Sequence, residues 1–159
     1  MSLFLPTIIF RHRKENLKKC TLRNLENRKD FCFLTYPIDP LPPLDHYVIL
    51  ALNAPLLSHR DCSKGIFLID ATWRYADQIK RVTPPLSNIA HRSLPPARTS
   101  YPRKQTDCID PNRGLASIEA LYLAYLILGK NPKGLLDGYY WKDTFLKKND
   151  FLLKNFAQK

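Results

Sequence analysis

The sequence predicts an α/β domain: a mainly parallel sheet with helices on both faces. Three observations carry this. Two apolar runs, 47–52 and 66–69, are continuous rather than alternating, as expected of strands buried on both faces. The order of elements is strand, loop, strand, helix, strand, helix, which belongs to the α/β class. Residues 115–128 are apolar nearly all round, as in a helix buried inside a domain.

The elements follow in order. Residues 6–10 read as a short strand. Residues 11–30 are basic and polar, with eight Lys or Arg against three acids and a weak helical face at Leu17, Leu22 and Leu25. Residues 30–36 read as a strand, since Phe31, Phe33 and Tyr36 are strong β-formers. The proline-rich stretch 37–43 is a rigid connection. The runs 47–52 and 66–69 are inner strands separated by a polar loop over 53–64. A helix is expected over 72–82, stopped by Pro84-Pro85. A short strand at 89–94 precedes a long irregular stretch, 95–114, of the kind that is usually functional. The helix over 115–128 is closed by Gly129. A last helical segment spans 135–156, with breaks near Gly138 and Lys148.

The chain has 159 residues, which suits one domain, and a net charge of +11 from 25 Lys and Arg against 14 Asp and Glu. That excess points to a polyanionic partner, nucleic acid first and an anionic membrane surface second. No apolar run is long enough to span a bilayer. The basic residues follow the apolar start instead of preceding it, the reverse of a secretory signal, so a cytoplasmic location is expected. Cys20, Cys32, Cys62 and Cys108 contain no Cys-x-x-Cys pair, and reduced thiols rather than a metal site are expected. Thirteen prolines against five glycines imply stiff loops. No Gly-x-Gly-x-x-Gly, phosphate-binding Gly-Lys-Ser/Thr or Gly-x-Ser-x-Gly element occurs. This argues against dinucleotide enzymes, P-loop ATPases, Rossmann-type methyltransferases and serine hydrolases.

Ligands in open α/β sheets gather at the carboxyl ends of strands. Three segments belong there: 53–55, 70–73 and 115–117. Asp70 stands where a buried strand meets a helix. It suits a helix cap, accepting a backbone N–H, and equally a general base at a pocket edge. Trp73 suits core packing, or a flat apolar wall beside a sulfonium or an adenine. Ser117 suits a cap, or a helix start receiving a carboxylate. The cations form three groups: Arg11, Arg13, Lys14, Lys18, Lys19 and Arg23; then Arg92, Arg98, Arg103 and Lys104; then Lys142, Lys147, Lys148 and Lys154. Their excess favours phosphate-backbone binding. Tyr101, Tyr139, Tyr140 and Trp141 interleave with them and suit either stacking on unpaired bases or core packing.

Six segments, in order, resemble the DTW superfamily of RNA aminocarboxypropyltransferases, and especially the branch that modifies small-subunit ribosomal RNA. Lys19-Cys20-Thr21 resembles an early Lys-Cys-Thr-Gly element, with Leu22 replacing the glycine. Leu52-Asn53-Ala54-Pro55 resembles a Leu-Ser-Pro turn with one residue added. Asp70-Ala71-Thr72-Trp73 matches Asp-x-Ser/Thr-Trp, and Leu94-Pro95 matches a Leu-Pro after the next strand. Leu115-Ala116-Ser117-Ile118-Glu119-Ala120 resembles Leu-Ser-Thr-x-Glu-Ala. The segment from Tyr140 to Leu146 resembles a carboxy-terminal Trp-Gly-x-x-Phe-Leu element. One segment departs from the pattern. Where the ribosomal branch carries Ala-Asn-Pro-x-Asn-Tyr-Gly, this chain has Ala97-Arg98-Thr99-Ser100-Tyr101-Pro102-Arg103-Lys104, which is more similar to the tRNA-modifying branch.

The resemblance covers nearly the whole chain. It implies a SPOUT-like fold with a knotted S-adenosylmethionine site, a basic N-terminal part over 1–36 and a cofactor-binding core over 37–159. It implies transfer of the 3-amino-3-carboxypropyl group to a uridine or pseudouridine ring nitrogen, with methylthioadenosine leaving and no metal. Adenine would lie on Leu52, Pro55, Leu94 and Leu115, with the ribose near Thr21. The methionine portion would lie by Trp73 and Ala76, with Asp70 as proton acceptor; Ser117 joins the expected cofactor contacts from its own place at a helix start, not from the resemblance. RNA would meet Arg11, Arg13, Lys18, Lys19, Arg23, Arg98, Tyr101, Arg103 and Lys104. The RNA is expected to be rRNA first and tRNA second, and the protein a monomer. A methyltransferase on the same scaffold and a non-catalytic ribosome-assembly protein are the competing readings.

Overall fold

The apolar runs become the inner strands of a five-stranded sheet in the computed structural model, which describes residues 5–14, 21–71, 73–101 and 115–157. The strands are β1 (Thr7–His12), β2 (Phe31–Tyr36), β3 (Tyr47–Leu50), β4 (Gly65–Asp70) and β5 (Ala90–Arg92). Their order across the sheet is β2-β1-β4-β3-β5. Every strand pairing among the described residues is parallel.

Why the runs do not alternate is visible in the packing. Ile9, Val48, Ile66 and Leu68 face one apolar cluster, built with α3 (Ser117–Leu128), α4 (Lys142–Lys148) and α5 (Asp150–Ala157). The neighbouring Ile8, Phe10, Tyr47, Ile49 and Phe67 face a second cluster on the opposite side, with Ile79 of α1 (Trp73–Val82) and Leu86 of α2 (Pro84–Ser87). Both sheet faces are covered, so both side-chain sets are apolar. Helix α3 buries Ile118, Leu121, Leu123, Ala124, Ile127 and Leu128 in the first cluster, together with Phe145 of α4 and Leu153 of α5. Each large side chain buried there contributes about 1.5–3 kcal/mol relative to exposure. Gly129 ends the helix at φ 72°, a left-handed conformation that glycine adopts without strain.

Several elements differ from expectation. Strand β1 runs on to His12, because Arg11 and His12 both find partners at its end. Helix α1 stops at Val82 as predicted, but Pro84 and Pro85 then open the short helix α2, since proline suits a first helical turn. The segment expected to be helical over 135–156 is helical only in α4 and α5. Residues 135–141 are turns, and Asn149 separates the two helices. The Asn149 amide donates to the carbonyl of Phe145, 2.9 Å away, and to that of Arg98, also at 2.9 Å, so it closes one helix while holding a distant loop. Leu22 and Leu25 are buried around a 3-10 turn at Arg23–Leu25, whereas Leu17 lies outside the described residues. No helix among the described residues is long and apolar enough to cross a membrane.

Candidate active site

The chain leaves β1 for β2 on one side of the sheet, and leaves β4 for β5 on the other. The ends of β1 and β4 therefore flank a topological switch point, the place where open α/β sheets form a crevice. Asp70 is the last residue of β4, and Arg11 is its register partner on β1. Arg11 Nε donates to Asp70 Oδ2 at 3.3 Å, and the Ser117 hydroxyl donates to Oδ1 at 3.1 Å. Both oxygens thus have side-chain donors. The Arg11 guanidinium also pairs with Glu26 at 3.0 Å and lies 4.9 Å from the Phe33 ring centroid.

Ser117 is the first residue of α3, so this helix start is aimed at the carboxylate. The N-cap position is Ala116, which has no capping side chain. Two other groups satisfy the exposed N–H donors. Glu119 Oε1 accepts from Ala116 N–H at 2.8 Å, and Thr21 Oγ1 accepts from Ile118 N–H at 3.2 Å. Thr21 thereby ties the basic N-terminal part to the same helix start.

Glu119 is fully buried and holds the beginning of the long loop. Oε1 also accepts from the Thr99 hydroxyl at 2.6 Å. Oε2 accepts from Ser100 N–H and from the Tyr139 hydroxyl, each at 2.9 Å. Asn149 Oδ1 accepts from Arg98 N–H at 2.7 Å. Residues 98–101 are therefore clamped from two sides.

The turn after β3 is pinned beside the end of β5. Ser93 N–H donates to the Pro55 carbonyl at 2.8 Å, and the Ser93 hydroxyl to the Ala54 carbonyl at 2.6 Å. Asn53 adopts φ 57°, a left-handed conformation that asparagine tolerates better than most residues. Leu52 is left 39% exposed at this edge, an apolar surface on an otherwise polar turn. Leu94 and Leu115 pack half-buried on the first core cluster, and Ala76 is half-buried on α1.

The structure joins Asp70, Ser117 and Thr21 through one helix start, and pins the turn carrying Leu52 and Pro55 to Ser93, the residue before Leu94. Of the expected RNA contacts, Arg13, Arg23 and Arg98 are exposed, and Tyr101 is half-buried. Arg11, grouped with them in the sequence, sits instead inside the site with its side chain only 11% exposed. There it is engaged by two carboxylates and a ring. Ser117 is likewise placed as the first helical residue rather than as a cap. Lys18, Lys19, Arg103, Lys104 and the side chain of Trp73 lie outside the described residues.

His12, missed in the sequence, ends β1 beside this site. Its ring stacks on Tyr75 of α1 at 4.0 Å and 15°, with Tyr36 at 5.7 Å. Nδ1 accepts the Lys14 N–H at 3.1 Å. Burial, then the charges of Lys14 and Arg13, push the imidazole below its ordinary pKa. The protonated ring is thus disfavoured, and the Lys14 N–H on Nδ1 favours the neutral tautomer with its proton on Nε2. No sequence signal identified it, because the stack joins residues from separate elements.

Two cavities lie away from Asp70. One, of about 480 Å³, opens at the amino ends of β3 and β5 between Tyr47, Asp61, Lys64 and Arg92. The other, of about 260 Å³, lies beyond α3 between Tyr122, Pro132 and Leu136. Among the described residues no group of three or more His, Cys, Asp or Glu is arranged to hold a metal.

The architecture and its switch-point carboxylate define an α/β domain with both faces of a parallel sheet covered and a crevice at the carboxyl ends of the strands. Its fold is that of a solved structure, the SAM-dependent rRNA:acp-transferase Tsr3 from Vulcanisaeta distributa. The TM-score is 0.73 at 24% sequence identity, over 98% of this chain and 84% of that one. No family model matches the chain, and no curated protein matches it.

Proposed function

We propose that this protein is an S-adenosylmethionine-dependent RNA aminocarboxypropyltransferase of the DTW type, acting on small-subunit rRNA. The observation that carries the reading is the arrangement of Asp70. It is oriented by Arg11 and Ser117 at the carboxyl end of β4, facing the start of α3. The likeness in fold to a SAM-dependent rRNA:acp-transferase supports it, as does the net charge of +11. The same reading has the chain working as one domain and as a cytoplasmic monomer, with the SPOUT-like knot that its sequence motifs imply.

The residues present fit the cofactor. Exposed Leu52 with Pro55, and half-buried Leu94 and Leu115, suit an adenine. The Thr21 hydroxyl, accepting from Ile118, has a proton to donate to a ribose oxygen. Trp73, Ala76 and Ser117 would border the methionine portion, where the α3 start favours a carboxylate. When bound, S-adenosylmethionine supplies an activated carbon beside a sulfonium. Which of its three carbons reacts depends on which is held in line with the attacking nitrogen. The chain's part is to bind, to orient and to take a proton. Two side-chain donors orient the Asp70 carboxylate, which would take the proton of the target ring nitrogen.

The test is a transfer assay with purified protein, rRNA and S-adenosylmethionine labelled either in the aminocarboxypropyl chain or in the methyl group. Label from the chain in RNA, with methylthioadenosine released, is expected. Methyl label in RNA, with S-adenosylhomocysteine released, overturns the reading in favour of methyl transfer. Calorimetry showing no cofactor binding overturns both. Asp70→Asn should bind cofactor yet lose about 100-fold or more in rate.

A further inference from the structure

Four aromatic rings from two distant segments meet around Trp141. Its ring centroid lies 5.4 Å from Tyr101, 5.9 Å from Tyr139 and 4.9 Å from Tyr140, each edge-to-face. Three of the rings are committed inward. Tyr139 is buried with its hydroxyl on Glu119, and Trp141 and Tyr101 pack half-buried on the core. Tyr140 is the opposite: its side chain is 86% exposed. An exposed tyrosine packed edge-to-face on a half-buried indole is an apolar face turned to water.

Two exposed cations lie at the other end of α4, along the loop that reaches Trp141. Lys148 Nζ reaches the Thr99 carbonyl at 3.4 Å, and the Arg98 backbone is clamped by Asn149 at the end of α4. Arg98 and Lys148 are exposed, and both adjoin the loop whose Tyr101 touches Trp141. Single-stranded nucleic acid is recognised by this pairing of stacking face and cations, because every base has a π-face and every linkage a charge. The net charge of +11 favours a polyanion over a protein partner.

The cluster is also wired to the candidate site. Glu119 accepts from Tyr139 and, through Ala116, completes the start of α3, whose Ser117 donates to Asp70.

We propose that Tyr140, backed by Trp141, is a stacking platform for an unpaired base of an RNA strand that runs along the loop 98–101 to Arg98 and Lys148 at the other end of α4. The RNA-modification reading supplies the class of ligand; the platform names where and how it is gripped. Binding of a labelled single-stranded oligouridine of about twelve nucleotides, followed by fluorescence anisotropy, tests it. Tyr140→Ala should weaken binding about 10-fold or more with an unchanged urea midpoint, while Tyr140→Trp should preserve binding and show fluorescence quenching by the base. Arg98→Ala with Lys148→Ala should weaken binding and flatten its salt dependence by about two phosphate contacts. Binding by Tyr140→Ala within about twofold of wild type overturns the platform. So does the absence of any oligouridine binding by the wild type, or a loss of duplex RNA binding in Tyr140→Ala as large as its loss of oligouridine binding. Tyr140-dependent binding without any group transfer sinks the proposed reaction and leaves the platform standing.

Discussion

Arg11 and Asp70 are register partners on adjacent parallel strands, and the guanidinium of one holds the carboxylate of the other at 3.3 Å with 11% and 7% side-chain exposure. Buried ion pairs add little net stability when intact but cost much when halved, because one charge is left without its partner. Arg11→Ala should therefore destabilise the protein by about 3 kcal/mol, read from urea denaturation. Arg11→Lys should recover part of this, since a lysine keeps the charge but cannot reach Asp70 and Glu26 with one rigid fork. An Arg11→Ala protein as stable as wild type would show that the pair does not form in solution.

Glu119 accepts four hydrogen bonds, two on each oxygen, and each oxygen has one backbone N–H among its donors. Glu119→Gln must therefore turn its NH₂ toward a backbone N–H whichever way the amide is flipped. The expected loss is about 2–3 kcal/mol. Faster hydrogen exchange at residues 98–101 should accompany it. Unchanged protection there would mean that Asn149 alone secures the loop.

Thr21 caps α3 from outside the helix. Thr21→Val removes the acceptor for Ile118 N–H at nearly constant shape and should cost about 1 kcal/mol, whereas Thr21→Ser should be close to neutral. Thermal denaturation of the three proteins separates these outcomes. Equal loss in the valine and serine variants would assign the effect to packing.

His12 makes stability depend on pH with a definite sign. Its folded-state pKa is below the ordinary 6.5, with burial as the main cause, so between the two values the unfolded chain binds the extra proton. The contribution is fully present above 6.5 and is lost as pH falls through the window beneath it. Stability measured from about pH 7.5 down to pH 5.5 should decline more steeply in wild type than in His12→Phe, which keeps the stack on Tyr75 but cannot titrate. Parallel slopes for the two proteins would remove His12 from the balance.

Much of this molecule follows from its sequence. Local composition predicts doubly buried strands over 47–52 and 66–69, which form as Tyr47–Leu50 and Gly65–Asp70 with Leu52 in the exposed turn beyond, because a face covered by helices demands apolar residues at every position. Gly129 closes α3, and Asp70 stands at a strand end, by the same local logic. Tertiary structure alone decides the rest. Arg11 and Asp70 are 59 residues apart, and no local preference sets the register of β1 against β4. That register comes from Ile8, Ile9 and Phe10 dividing between two core clusters. It turns an arginine that reads as one more surface cation into the partner of the site carboxylate. Ser117 reads as either a cap or part of a carboxylate-receiving helix start for the same reason, since a hydroxyl at a helix start reveals its role only when its neighbour across the fold is present. Sequence places each charged group on the chain, and packing decides which of them meet.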